Sequence, residues 1–222
     1  SLPGYEEVTF DLVSAILEEA RKLGEDVLAP LNRIGDIQGC KFENGIVKTP
    51  EGFKDAYHKF IEGGWNSLPF DPKYGGQDLP WLVSTAVSEV WHSANMAFTL
   101  CPMLNYGSVE LLHTHGSDAL KTKYLENMVS GIWTGAMNLT EPQSGSDLGR
   151  IRCKAVPEGS TYRISGTKIY ITFGEHDYTD NIIHMVLARK EGAPEGVKGI
   201  SLFLVPKFLV NDDKSLGSRN DL

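Results

Sequence analysis

Two segments carry residue types suited to holding a flat, phosphorylated ligand. The first reads Met137-Asn138-Leu139-Thr140-Glu141-Pro142-Gln143-Ser144-Gly145-Ser146-Asp147, where a strand-like stretch enters a loop tipped with small and hydroxylated residues. Gly145 lets the backbone approach an anion closely, and Ser146 offers both a hydroxyl and an amide donor, which suits a pyrophosphate. The same composition also makes an ordinary turn, so alone it leaves both readings open. The second segment is Gly166-Thr167-Lys168-Ile169-Tyr170-Ile171-Thr172, read as a strand with Lys168, Tyr170 and Thr172 on one face. A ring and a hydroxyl two residues apart suit a planar ligand and its polar edge, although Tyr and Thr are also common in any strand.

The remaining reactive residue types exclude more than they suggest. His113 and His115 stand at i and i+2, on different faces of a helix and with no third ligand nearby, so no metal site is expected. Cys40, Cys101 and Cys153 are odd in number, more than fifty residues apart and without a CxxC pair, as for buried thiols of a reducing, cytoplasmic compartment. A formal charge of -8, with no local Lys/Arg cluster visible along the chain, argues against nucleic acid as a partner. No run approaches the ~18 to 20 apolar residues of a membrane span. Hydrophobic content of 41% and charged content of 23% match a folded globular protein.

The two segments need a scaffold, and the periodicity supplies one in two parts. Val13, Ile16, Leu17, Ala20, Leu23, Val27, Leu28 and Leu31 follow helical spacing, with Pro30 and Gly35 expected to end the helix. Asn44-Gly45 between short apolar pairs predicts a tight hairpin. Phe53, Tyr57, Phe60 and Ile61 form a second helical stripe, and residues 63–80 a Gly/Pro/Asp-rich loop. A third helix begins at Leu82, with apolar helical material from Met96 to Leu112 interrupted around Pro102, and Ser117 or Asp118 caps a further helix. After Gly131 the period becomes strand-like around residues 132–134, 151–156, 162–164, 168–172, 182–188 and 200–205, followed by Phe208-Leu209-Val210 and a polar stretch from Asn211 to Arg219. The expected class is α+β: a helical domain at 1–132, then a β domain at 133–222 whose run of strands reads as incomplete, as in part of a longer protein.

Taken together, the motifs resemble the acyl-CoA dehydrogenase family, whose middle domain carries T-E-P-x-x-G-S-D and a later G-x-K-x-[W/F/Y]-I-[T/S]; here these are Thr140 to Asp147 and Gly166 to Thr172. Asp71-Pro72-Lys73-Tyr74-Gly75-Gly76-Gln77, the helix from Gly116 to Leu125 and Gly199 to Pro206 are similar to the family as well. Glu175-His176-Asp177, Gly192 to Gly199 and Pro206 to Asp221 resemble its longer bacterial forms, some of which act on methylthio-substituted acyl-CoAs.

The resemblance implies FAD as cofactor, with Met137, Leu139 and Thr140 beside the flavin ring, Gly145 and Ser146 at the pyrophosphate, Tyr170 over one flavin face, and Ile171 and Thr172 at its reactive edge. Tyr170 stands where the family more commonly has tryptophan. Ser146 also borders the substrate path, and Met96, Met103 and Tyr106, with Phe98 and Leu104, fall where the family draws part of its acyl pocket; their spacing equally suits plain core. The implied reaction is α,β-dehydrogenation of an acyl-CoA to a 2,3-enoyl-CoA, electrons passing to an electron-transfer flavoprotein, in a homodimer or homotetramer. An oxidase using oxygen, or a non-catalytic scaffold, are the alternatives. The family's base is a glutamate in a further helical domain, so no catalytic residue is expected within 1–222, Glu141 is expected to brace its loop, and these residues alone are expected to be inactive and poor at binding flavin.

Overall fold

The computed structural model describes residues 3–221. Helix α1, Phe10–Leu23, is capped by Thr9, whose hydroxyl accepts from the Leu12 amide. It continues through a π-helical turn at Gly24–Leu28 into α2, Ala29–Gln38. The expected stop at Pro30 and Gly35 is therefore corrected: Pro30 falls in the first turn of α2, where a missing N–H costs nothing, and the helix ends at Gly39 with φ +62. Hairpin β1, Lys41–Glu43, and β2, Ile46–Lys48, turns on Asn44 and Gly45, both with positive φ, as Asn-Gly requires.

Helix α3, Phe53–Glu62, turns Phe53, Ala56, Tyr57 and Phe60 inward. They meet Trp91 and Phe98 of α4, Trp81–His115, in a cluster of rings. Truncating a buried ring such as Phe60 to Ala would cost ~3–5 kcal/mol. The break in α4 lies at Asn95 (φ -158, ψ 89) and not at Pro102 as expected. Asn95 Oδ1 accepts from the Phe98 amide at 3.0 Å, capping the second half of the helix, and Pro102 is accommodated within it. Helix α5, Asp118–Val129, starts on the Ser117 cap. Its last carbonyls receive the Asn66 and Asn105 side-chain amides at 2.9 Å, so that buried helix end is satisfied.

The strands are β3, Trp133–Asn138; β4, Lys154–Glu158; β5, Thr161–Ser165; β6, Asn181–Lys190; β7, Ile200–Pro206; β8, Phe208–Val210; and β9, Leu216–Arg219. β6 is central. β7 runs antiparallel along one edge, while the other edge is shared by β3, parallel to residues 181–186, and β4, parallel at residues 189–190. The Thr140 motif is thus the chain that leaves the sheet where β3 stops and returns where β4 begins. β8, the Phe208–Val210 run, pairs with β9, which lies within the stretch read as polar, and Asn211 and Lys214 form the turn that joins them. Residues 168–172, expected as a strand, form no ladder.

Helices and sheet meet at β3. Gly135 lies so close to α4 that a Cβ would sit 2.2 Å from Ser108 Cβ, and Trp133 packs with Tyr124 and Met128. Gly135→Val should therefore lower the unfolding free energy of the purified protein by ~3 kcal/mol or more in urea titration, since overpacking here forces backbone apart. Gly107→Ala, where a Cβ meets nothing within 4 Å in the interior of α4, should hold or raise stability by ~0.5–1 kcal/mol.

Candidate flavin-type site

The loop after β3 is organised by one buried carboxylate. Glu141, 3% exposed, accepts from the Arg152 and Cys153 amides at 2.7 and 3.0 Å, from Gln143 Nε2 at 2.6 Å and from Lys168 Nζ at 2.9 Å. Burial by itself raises a carboxyl's pKa, but hydrogen bonds from Cys153, Arg152 and Lys168 outweigh it and hold Glu141 at about 2. Lys168 also donates to the Leu139 carbonyl at 2.9 Å, and the Ile169 amide donates to the Thr140 carbonyl at 2.9 Å. These contacts join the two segments, which lie far apart in sequence. Lys168, read from sequence only as one residue of a strand face, is the group that the motif alone did not mark as a partner of Glu141.

The correction at residues 168–172 has a local cause. Gly166 passes so near Cys153 that a Cβ would lie 2.9 Å from Cys153 Cα, and its φ is +142. Lys168 is then drawn to Glu141 and Ile169 to Thr140, so the segment spends its backbone on the motif loop and not on a strand ladder. Tyr170 follows in the left-handed region (φ 56), as does Phe173 (φ 49), and the Gly174 amide closes a turn on the Ile171 carbonyl. Positive φ at two non-glycine residues of one loop is a strained arrangement that the surrounding contacts must enforce. It leaves the Tyr170 ring 90% exposed.

In the two segments, Met137, Leu139, Thr140, Ile171 and Thr172 are half-buried, and Gly145 and Ser146 are exposed. Ser144 closes the turn by pairing its backbone with Glu141 and donating its hydroxyl to the Asp147 carbonyl, and a Cβ on Gly145 would meet nothing within 4 Å. Among the described residues, the Thr140, Ser146 and Thr172 hydroxyls have no protein partner, and none is sealed from solvent. An uncovered aromatic ring, free hydroxyls and a small-residue tip fit a planar heterocycle bearing phosphates. Elsewhere, Met96 and Met103 are exposed on the second half of α4, and Tyr106 is half-buried with its hydroxyl donated to the Trp65 carbonyl at 2.5 Å.

Two histidines support β3 from beneath: His176, read from sequence only as part of the Glu175-His176-Asp177 resemblance, and His184, which the sequence did not mark. The Tyr178 amide donates to His176 Nδ1 at 3.1 Å, leaving Nε2–H to donate to Thr134 Oγ1 at 2.9 Å. His184 Nδ1 lies 3.2 Å from Asn138 Oδ1. Burial, with the charge of Lys207 added, lowers them to about 3 and about 4 respectively. Buried histidine carries little sequence signal, because its partners Thr134 and Asn138 come from another strand.

One model describing the N-terminal domain of acyl-CoA dehydrogenases matches residues 13–132, and another describing their middle domain matches residues 136–220. The chain belongs to the acyl-CoA dehydrogenase family. A 3-methylmercaptopropionyl-CoA dehydrogenase of Ruegeria pomeroyi is 50% identical over the whole chain, which spans 38% of that relative's length. Butyryl-CoA dehydrogenase of Megasphaera elsdenii superposes with a TM-score of 0.72 at 24% identity, over 89% of this chain and 49% of the other. PigA in its FAD complex superposes with a TM-score of 0.71 at 24% identity, over 92% of this chain and 52% of PigA. These two likenesses bear on fold alone. FAD is the cofactor of acyl-CoA dehydrogenases, in keeping with the open Tyr170 side chain and the free Thr140, Ser146 and Thr172 hydroxyls.

Removing Lys168 leaves a buried, unpaired carboxylate, so Lys168→Met should lose ~3–5 kcal/mol in chemical denaturation. Acid should destabilise the protein in two stages. Each histidine is harder to protonate folded than unfolded, so stability falls as pH drops from about 6.5 toward 4 and 3. The depressed Glu141 contributes fully above its unfolded value of 4.5, and that contribution is lost as pH falls toward about 2. Melting temperature measured across this range should fall from near neutrality downward, and His184→Phe should flatten the upper stage.

Proposed function

We propose that this chain is the helical and β part, divided at residues 132 and 133, of an FAD-dependent enzyme that oxidises acyl-CoA thioesters to 2,3-enoyl-CoA. The observation that carries the reading is the union of the two motif segments through Lys168 and Ile169, which sets Tyr170 beside the Thr140 loop. Bound FAD supplies the two-electron acceptor for loss of the α and β hydrogens. Tyr170 covers one face of the ring, the Met137, Leu139 and Thr140 backbone borders it, the Thr140 hydroxyl bonds its polar edge, and Ile171 and Thr172 flank its reactive edge. Gly145 and Ser146 receive the pyrophosphate and border the thioester path.

Met96, Met103 and Tyr106 contribute to the acyl pocket. Likeness to a relative named for a methylthio-substituted propionyl-CoA supports a short acyl chain with a thioether, and the soft sulfur of Met96 and Met103 suits such a chain. No proton-removing carboxylate is assigned within these residues. Glu141, the only buried carboxylate among those described, is spent on four hydrogen-bond donors, so its role is to brace. The base is therefore assigned to a glutamate of another helical domain, and these residues by themselves are expected to be inactive. The electron acceptor is an electron-transfer flavoprotein, and the working form is a homo-oligomer in the cytoplasm.

Anaerobic addition of a short acyl-CoA to the full-length protein should bleach the flavin's visible absorption, whereas the free acid should not. An unbleached flavin would refute the reading, and reoxidation faster in air than with the carrier flavoprotein would assign an oxidase. Tyr170→Ala should weaken FAD binding about threefold to tenfold, the magnitude of one lost aromatic stack, as read by fluorescence titration of the apoprotein.

A further inference from the structure

The fold brings a distant arginine to a short basic run of the chain. From residue 150 to 155 burial alternates: Ile151, Cys153 and Ala155 are buried, while Arg150, Arg152 and Lys154 are exposed. Arg152 and Lys154 therefore share the outer face of one extended segment, and Arg150 ends the short 3-10 turn that leads into it. The parallel pairing of β4 with β6 then sets Lys154 directly opposite Arg189. This corrects the expectation that no local Lys/Arg cluster exists.

Arg189 spends its guanidinium on three carbonyls, of Pro194 at 2.6 Å, Gly196 at 2.9 Å and Gly149 at 3.2 Å. It thereby ties the far limb of the motif loop, next to Arg150, to the turn between β6 and β7. Among the described residues none of Arg150, Arg152, Lys154 and Arg189 has a carboxylate within ion-pair distance. The acids nearby are otherwise engaged or apart: Asp147 caps the Gly149 amide, Glu158 pairs with Arg163, and the exposed Glu191 and Glu195 form no ion pair with the cluster.

Like charges facing each other across two strands oppose folding unless an anion lies between them. A chain of net charge -8 offers anions no general attraction, so attraction here must be local. The cluster follows, along the chain, the exposed Gly145 and Ser146 at the tip of the same loop.

We infer that Arg150, Arg152, Lys154 and Arg189 form a receiving surface for the phosphates at the nucleotide end of the thioester ligand, with Lys154 and Arg152 in direct contact and Arg189 as a positioning residue. This rests on the acyl-CoA reading above. It assigns the cluster a part in binding and none in the chemistry.

The test compares one acyl group carried on CoA and on pantetheine, which lacks the nucleotide, as substrates of the full-length holoenzyme and of R152Q/K154Q and K154E variants. The KM ratio of pantetheine ester to CoA ester should fall about five- to twentyfold in R152Q/K154Q and further in K154E, with a shallower dependence of the CoA-ester KM on salt, as lost charge-assisted contacts require. An unchanged ratio in both variants overturns the inference while leaving the acyl-CoA reading intact. Loss of FAD from the variants with the ratio unchanged also overturns it, by assigning the cations to the flavin phosphates. Failure of the parent enzyme to turn over either ester removes the acyl-CoA reading and the inference together.

Discussion

Burying a carboxylate without partners costs several kcal/mol, a large share of the stability margin of a domain, and Glu141 is nearly sealed. Two main-chain amides, a glutamine and the Lys168 ammonium offset that cost, and in doing so they fix the geometry of everything around them. The amides come from the residues entering β4, the ammonium from a segment beyond β5, and the carboxylate from the loop after β3. A hydrogen-bonded cluster whose members come from three places in the chain works as a clamp. It favours uniqueness over raw stability, because an apolar substitute of similar shape would pack but would not choose between alternative loop positions.

The clamp explains why Tyr170 stands uncovered. With Lys168 committed to Glu141 and Leu139, and Ile169 to Thr140, the chain has no ladder to follow, and the next residue takes a left-handed conformation that presents its ring outward. Beneath β3, neutral His176 and His184 hold Thr134 and Asn138, while α4 presses on the opposite face through Gly135 and Ser108. The strand that delivers Met137 to Thr140 is thus fixed from both sides. Its position sets both the helix–sheet core and the start of the Thr140 loop.

Much of this was legible in the residues. Asn44-Gly45 dictated its hairpin because few other pairs accept two positive φ values, and Ser117 dictated a helix start through its hydroxyl. The two motifs were recognisable by type and order. What escaped reading was set by distant partners. Pro102 looked like the helix breaker, but the break came at Asn95, whose side chain bonds the Leu28 carbonyl of the preceding helix segment as well as capping its own. Residues 168–172 had strand composition, yet tertiary bonds to a loop about thirty residues earlier overrode local propensity. Of the basic cluster, Arg150, Arg152 and Lys154 are close in sequence, whereas Arg189 joins them only once β4 lies parallel to β6.

The most direct test of this account is a double-mutant cycle on flavin affinity, using Glu141→Gln, Lys168→Met and the combined variant in the full-length protein. If the clamp sets the loop that receives the flavin, each single change weakens FAD binding and the two losses combine non-additively, with a coupling of ~1 kcal/mol or more. Variants that lose stability yet bind FAD as tightly as the parent would contradict it, because the pair would then brace the fold without shaping the site.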